Sequence, residues 1–249
     1  MKNWLWILYM TAAIAAPAVT GAARPSVAIE KLVIASEIYP PLSTAEKNGF
    51  EDLLAKEIFR RLGIAVEIRH MPGERVLANV NAGLQDGVHP RIGGMAEKYP
   101  NLVQFEERSL VFDFVAFTRM GDLEIVDWAS LAPYHVGIVT GWKILEWNIK
   151  QNKSLIKVDN GEQLFKMLGA GRIDVAVYAR WPGLQLVRDL GLEDIRDVDP
   201  PFATKDAFAY LHKRHERLIP KASQVLRAMK ADGTYQRIYD QTLGKFKAN

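Results

Sequence analysis

Residues 32–68, LVIASEIYPPLSTAEKNGFEDLLAKEIFRRLGIAVEI, decide the fold class because they predict a strand, a helix and a second strand in succession. Residues 32–35 and 65–68 are short apolar runs bounded by polar or turn-forming residues, which is typical of buried strands. Between them, apolar residues recur every three or four positions over residues 50–62, and Gly63 ends the predicted helix. The stretch therefore predicts a βαβ unit, the building block of α/β folds.

The same alternation continues towards the C-terminus. Further strands are predicted at residues 87–92, 111–117, 135–139, 155–158, 174–177, 195–198 and 207–211, and further helices at residues 75–82, 128–131, 142–151, 163–168, 182–190, 216–231 and 235–243. No internal repeat or low-complexity linker interrupts the series. Two α/β series without a disordered linker predict two lobes joined by extended strands, and a cleft between lobes is a preferred ligand site.

Composition excludes several classes of function. The chain has 249 residues, 49% of them hydrophobic, 32 basic and 29 acidic residues, and no cysteine. Without cysteine there is no disulfide, no thiol nucleophile and no thiolate metal site. The charges are interspersed and form no basic arm or recognition motif, so we expect no nucleic-acid partner.

The N-terminus predicts a targeting segment. Lys2 precedes an apolar run, and small residues at 20–23 fit a signal-peptidase site, so residues 1–23 are predicted to be a cleaved signal peptide. The alternative is a membrane anchor, but residues 4–19 span only 16 positions and Pro17 interrupts them. A spanning helix needs roughly 20 apolar residues. We therefore expect a soluble, exported, periplasmic protein.

Several short motifs occur in an order and spacing that match one family. They are Tyr39-Pro40-Pro41 followed by Gly49-Phe50-Glu51-x-x-Leu54-Ala55, Gly83-Leu84-Gln85-Asp86-Gly87, Val136-Gly137-Ile138 before Thr140-Gly141, Leu168-x-x-Gly171-Arg172-Ile173-Asp174-Val175-Ala176, and Met229-x-x-Asp232-Gly233-Thr234-Tyr235. With these motifs the chain resembles the type-II periplasmic solute-binding proteins of the amino-acid-binding group, bacterial extracellular solute-binding family 3. The resemblance covers about residues 31–246.

The resemblance implies an α/β, two-lobed periplasmic-binding-protein fold with a cleft between the lobes and a two-strand hinge. Lobe 1 would comprise residues 27–117 and 211–249, and lobe 2 residues 118–210, with the hinge strands near Phe117 and Tyr210. Ligand would close the cleft, since binding shifts an open–closed equilibrium as far as the ligand prefers the closed state. The resemblance also implies a monomer whose closed form is read by an inner-membrane ABC-type permease.

Individual site residues follow from the same resemblance. Tyr39 takes the place of an aromatic platform for the ligand. Lys98 takes the place of an arginine that binds the ligand carboxylate, although a lysine cannot form a planar fork. Ala179 stands where the family has a carboxylate for the ligand amine, and Trp142-Lys143 replaces a pair of small hydroxyl residues. Specificity for amino acids therefore does not follow from the resemblance.

The residues themselves suggest the charge of the ligand. Strand ends and helix starts that should face the cleft carry five cations but only one nearby acid, which favours an anionic or carboxylate-bearing solute, while aromatic rings could form flat walls. The candidate ligand-binding residues are Glu37, Tyr39, Arg75, Arg91, Lys98, Trp142, Lys143, Tyr178 and Arg180. His212-x-x-His215 lacks a third ligand, so we expect no metal, and no motif indicates a cofactor or a catalytic site.

The leading hypothesis is a binding protein that delivers a small polar solute, anionic or bearing a carboxylate, to a permease or a sensor. One alternative is an enzyme on the same scaffold resembling cyclohexadienyl dehydratase, for which Glu37 is the candidate general acid. Another is amino-acid binding by a non-standard pocket. A third is a sensor or adaptor whose cleft is blocked by Trp142 or Trp181.

Overall fold

The computed structural model describes residues 30–121, 123, 125–150 and 152–246, without the side chains of residues 74 and 143. The predicted signal peptide at residues 1–23 lies outside this part of the chain. None of the helices described here combines the length and apolar character needed to cross a bilayer.

The strands and helices alternate as the sequence predicts. The strands are β1 Lys31–Ser36, β2 Ala65–His70, β3 Gly87–Ile92, β4 Leu102–Gln104, β5 Leu110–Thr118, β6 His135–Val139, β7 Ser154–Val158, β8 Val175–Ala179 and β9 Arg196–His212. The α-helices are α1 Phe50–Arg61, α2 Gly73–Asn81, α3 Lys143–Asn148, α4 Gly161–Gly169, α5 Arg180–Asp189, α6 Ile219–Ala231 and α7 Thr234–Thr242. Short 3-10 helices cover Met95–Glu97, Ala129–Leu131, Lys213–Leu218 and Gly244–Phe246.

One continuous sheet runs through the described chain in the order β2-β1-β3-β9-β5-β8-β6-β7, and β4 pairs with β9 outside this path. β1 is parallel to β2 and β3, and β6 is parallel to β7 and β8. Between these parallel groups, β9 and β5 are antiparallel to each other and to their outer neighbours. The two parallel groups form the two lobes, and β5 and β9 connect them.

Separate hydrophobic cores support the two lobes. One set of buried side chains packs α1, α6 and α7 onto β1, and Leu32 and Leu226 are fully buried there. Another set, which includes Val136 and Val177, packs on the sheet of lobe 2. Phe112 of β5 contacts both sets, so the core of lobe 1 meets the core of lobe 2 near this residue. The boundaries at residues 117 and 210 stay a prediction.

The described chain corrects three elements of the predicted secondary structure. Residues 195–198 and 207–211 were expected to form two strands, but both lie in or beside the single strand β9, because β5 pairs with it from Ala207 to Arg196. The short strand β4 was not expected. The helix expected from residue 216 begins as a 3-10 helix, and α6 proper begins with Pro220 in its first turn, where proline is tolerated.

Candidate functional site

A cavity of about 450 Å³ lies between the lobes, where carboxyl ends of parallel strands meet, and we call it the interlobe cavity. Ser36 at the end of β1 and Ile92 at the end of β3 line it from lobe 1. Gly141 after β6 and Ala179 at the end of β8 line it from lobe 2. Ligand sites in open α/β sheets are found at such strand ends.

Arg91 brings a positive charge to the interlobe cavity. It lies near the end of β3, half-buried, and its Nη1 donates a hydrogen bond to the Pro90 carbonyl oxygen at 3.1 Å. No carboxylate in the described part of the chain forms an ion pair with it. The guanidinium is therefore available for an anion from solution.

Glu51 faces the same cavity from the first turn of α1 and is only 4% exposed. Its carboxyl group forms no hydrogen bond or ion pair with the described residues. Burial raises the pKa of Glu51 to about 8, opposed by the positive charge of Arg91 and reinforced by the negative charge of Asp52. At neutral pH this carboxyl is therefore mostly protonated.

Asp52, the next residue of α1, is fully buried and saturated with hydrogen bonds. Its Oδ2 accepts from the backbone N–H groups of Thr44 and Gly49, both at 3.0 Å. Its Oδ1 accepts from Ser43 Oγ at 2.8 Å and lies 3.1 Å from His89 Nε2. Burial alone would raise the pKa of Asp52, but hydrogen bonds from His89 and the other donors lower it below its ordinary value. Burial lowers the pKa of His89.

Aromatic rings from both lobes form one wall of the cleft. Trp142 stacks on Tyr178 with ring centroids 4.5 Å apart and planes 14° from parallel. Phe114 meets the Trp142 ring edge-on at 5.8 Å, and Tyr39 meets Tyr178 edge-on at 6.4 Å. Burial raises the pKa of Tyr178 to about 12, so its hydroxyl stays neutral. Trp142 lies in this wall and leaves the interlobe cavity open.

The structure brings together five of the nine residues predicted for the site. Glu37, Tyr39, Arg91 and Trp142 line the interlobe cavity. Tyr178 lies behind Trp142 and lines an adjacent cavity of about 310 Å³, whose walls also include Glu37, Tyr39 and Trp142. Their contact with a ligand stays a prediction.

Three of the predicted cations are not among the side chains that line the interlobe cavity in the described part of the structure. Arg75 is exposed on α2. Lys98 is exposed beyond the 3-10 helix Met95–Glu97, with its Nζ 5.5 Å from the centre of the Tyr99 ring. The side chain of Lys143, at the start of α3, lies outside the described part of the structure.

Arg180 also differs from the sequence expectation, which counted it as a cation facing the cleft. It begins α5, and its guanidinium forms ion pairs with Asp113 of β5 and with Asp197 and Asp199 of β9. These carboxylates neutralise it locally, because they lie within ion-pair distance in a partly buried setting. The expected excess of positive charge in the cleft is therefore smaller than the sequence suggests.

Sequence reasoning missed Glu51 and most of the apolar wall, which is formed by Ile92, Phe112, Phe114 and Ile144. Phe112 and Phe114 share one face of β5 because side chains alternate along a strand. The sequence predicts this strand, but it does not show which face meets the cleft. In the described part of the chain, no three His, Cys, Asp or Glu side chains are grouped to hold a metal ion.

Comparison with known proteins gives consistent results. The sequence model described as bacterial extracellular solute-binding proteins, family 3, matches residues 32–245. A curated relative from Shewanella oneidensis, described as an uncharacterized protein, is 24% identical over 208 residues, which are 79% of this chain and 76% of the relative.

Solved structures show the same fold. An ancestral arginine-binding protein bound to glutamine is 24% identical, with a TM-score of 0.68 over 86% of this chain and 98% of that chain. A histidine kinase sensor domain with similarity to periplasmic binding proteins is 20% identical, with a TM-score of 0.72 over 87% of this chain and 97% of that chain. The two-lobed α/β architecture is thereby confirmed.

Proposed function

Because the chain belongs to the bacterial extracellular solute-binding proteins, family 3, we propose that it captures a small carboxylate-bearing solute between its lobes. The capture would take place in the periplasm, after removal of residues 1–23, and the closed form would be read by an ABC-type permease or a membrane sensor. The observation that carries the proposal is Arg91, a cation that lines the interlobe cavity without a carboxylate partner among the described residues.

The chemistry of the walls supports a small polar solute that carries one negative group. A guanidinium offers a planar pair of donors that matches a carboxylate, and such charged hydrogen bonds are stronger than neutral ones. In the same cavity, Phe112, Phe114 and Ile144 provide apolar surface for the body of the ligand. Ala179, where the resemblance implies an amine-binding carboxylate, also lines the cavity and offers no charge.

The position of the cavity supports closure on binding. Arg91 and Tyr39 reach it from lobe 1, whereas Trp142 and Ile144 reach it from lobe 2. A solute that contacts both groups has more contacts in the closed state than in the open state. Its binding would therefore shift the population towards closure, which is the form that a permease or sensor can recognise.

Substitution of Arg91 by leucine tests the proposal. We expect the dissociation constant of a bound carboxylate to rise by roughly 10- to 150-fold, since hydrogen bonds to a charged group contribute about 1.5–3 kcal/mol. The measurement is isothermal titration of the purified chain with 3-phenylpropionate, after a thermal-shift screen of carboxylates, phosphorylated compounds and amino acids. Arg60→Leu is the matched control, because the Arg60 side chain is 70% exposed on the surface of α1.

Unchanged affinity in Arg91→Leu, or a larger loss in Lys98→Leu, would contradict this assignment and favour the carboxylate position that the resemblance implies. The same samples are assayed for loss of water and carbon dioxide from ring-bearing carboxylates. Release of such a product would place the chain with the dehydratase-like enzymes. A thermal shift with amino acids alone would favour the non-standard amino-acid pocket.

A further inference from the structure

The Glu51 carboxyl group lines the interlobe cavity and has no hydrogen-bond partner in the described part of the chain. The residue as a whole is only 4% exposed, and the carboxyl forms no ion pair with the described residues. Its oxygens are not among the buried side-chain atoms without a partner in the described residues, which are Gln85 Oε1 and His215 Nδ1. The carboxyl is therefore open to the cavity, where a group that enters can hydrogen-bond to it. We expect an atom of the ligand to lie here and to form a hydrogen bond with the Glu51 carboxyl.

The groups around Glu51 determine which form of the carboxyl meets the ligand. Arg91 of β3 lines the same cavity as Glu51, and so do Glu37 and Tyr39 in the loop after β1. The ionised Asp52 adjoins Glu51 on α1. From lobe 2, the cavity walls contributed by Trp142 and Ile144 are apolar. Desolvation and Asp52 both disfavour a second negative charge, so burial raises the pKa to about 8 despite Arg91.

A ligand carboxylate on Arg91 strengthens this preference. Once the guanidinium is paired, it no longer offsets the burial of Glu51, and the proton on Glu51 is held more tightly. A protonated carboxyl donates one O–H hydrogen bond, which suits a hydroxyl or carbonyl oxygen. To bind an ammonium group of a ligand, the Glu51 carboxyl would instead have to be ionised.

We propose that Glu51 is a specificity-determining residue that, as a neutral carboxyl, donates a hydrogen bond to a hydroxyl or oxo oxygen of the solute. The site would therefore select hydroxy or oxo carboxylic acids over amino acids of the same skeleton. This inference rests on the proposed function, in which Arg91 holds the carboxylate of the same molecule.

Four probes with one skeleton test the selection: phenylpyruvate, phenyllactate, 3-phenylpropionate and phenylalanine. They differ only in the group beside the carboxylate, which is oxo, hydroxyl, hydrogen or ammonium. We expect the oxo or the hydroxy acid to bind the purified full chain roughly 5- to 10-fold more tightly than 3-phenylpropionate, as one hydrogen bond would provide. Phenylalanine is expected to bind the most weakly. Tighter binding of phenylalanine than of both oxygen-bearing probes would overturn the inference.

Two variants separate hydrogen bonding from folding. Glu51→Gln keeps a neutral N–H donor, so the preference for the oxo or hydroxy acid should stay within about threefold of the parent chain. Glu51→Leu removes the donor, and the preference over 3-phenylpropionate should disappear. Glu46→Gln and Glu46→Leu are matched controls at an exposed glutamate. If Glu51→Leu kept the preference, the inference would be wrong, although loss of binding in Arg91→Leu would still support the proposed function.

The pH dependence of phenylpyruvate binding gives a second readout. Ionisation of Glu51 should weaken binding by roughly tenfold between about pH 7 and about pH 9, and the Glu51→Gln curve should be flat over that range. If phenylpyruvate binding had the same pH dependence in the parent chain and in Glu51→Gln, Glu51 would not act as a neutral hydrogen-bond donor. If none of the four probes bound at millimolar concentration, both the proposed function and this inference would fail.

Discussion

Replacement of Asp52 by alanine is expected to lower the free energy of unfolding by about 3–5 kcal/mol, because it removes the acceptor of a buried hydrogen-bond network. Ser43 Oγ, His89 Nε2 and the backbone N–H groups of Thr44 and Gly49 all point at this carboxylate. The Gly49 N–H group and His89 Nε2 would be left buried without this acceptor, whereas Ser43 Oγ also lies 3.2 Å from His70 Nε2. Denaturant titration measures the loss, and the melting temperature should fall by roughly 10 °C.

A surface aspartate provides the control for this prediction. Asp194 pairs with Arg119, but both side chains are about half exposed. Asp194→Ala should change stability by less than about 1 kcal/mol, as exposed ion pairs contribute little. A similarly small loss in Asp52→Ala would show that the Asp52 network does not hold the turn between β1 and α1.

Glu51→Gln is expected to stabilise the protein, in contrast to most substitutions of buried residues. The pKa of Glu51 is about 8 in the folded chain against an ordinary value of 4.5, so folding takes up a proton between these pH values. Glutamine needs no proton. At about pH 7 the gain should be about 3 kcal/mol, from 1.36 kcal/mol for each pKa unit between pH 4.5 and 7.

The sign of this effect follows from the raised pKa. The folded chain binds the extra proton, so the stability of the parent chain is fully present below about pH 4.5 and falls as the pH rises towards 8. The advantage of Glu51→Gln should therefore vanish near pH 4.5, which urea titrations at the two pH values would measure. The exposed Glu46→Gln should show no such dependence. Equal stability of Glu51→Gln and the parent chain at pH 7 would mean that the carboxyl is well hydrated.

Stability and binding would then oppose each other at one residue. A buried acid that weakens the fold at neutral pH is retained where it contacts a ligand, a common feature of functional sites. Substitution of Glu51 by glutamine separates the two roles, because it keeps a hydrogen-bond donor and removes the ionisable group.

Local patterns were sufficient to predict most elements of the fold. The apolar periodicity over residues 50–62 and the following Gly63 correspond to α1, which ends at Arg61, and Gly63 has the positive φ of 72° that favours glycine. The sequence does not predict that β9 is one continuous strand, because residues 199–206 contain two prolines and polar side chains. Pairing with β5 at residues 203–206 continues the strand beyond the prolines, and pairing between distant segments leaves no local pattern.

The candidate site was harder to predict than the fold because its charges are set by distant residues. Arg180 looks available in the sequence, but Asp113 of β5, which is distant in the sequence, pairs with it in the fold. Glu51 looked like an ordinary acid at a helix start, where carboxylates are favourable. Only the packing of the surrounding loops shows that it is buried in the wall of a cavity.

The long strand β9 takes part in the strand pairing of both lobes. Its residues from Arg196 pair with β5 beside lobe 2, and its last residues pair with β3 and β4 in lobe 1. A fragment cut between the lobes would expose unpaired strand edges in both halves, and such edges promote aggregation. Grafting the binding specificity of this chain onto a relative would therefore require exchange of both crossing strands together.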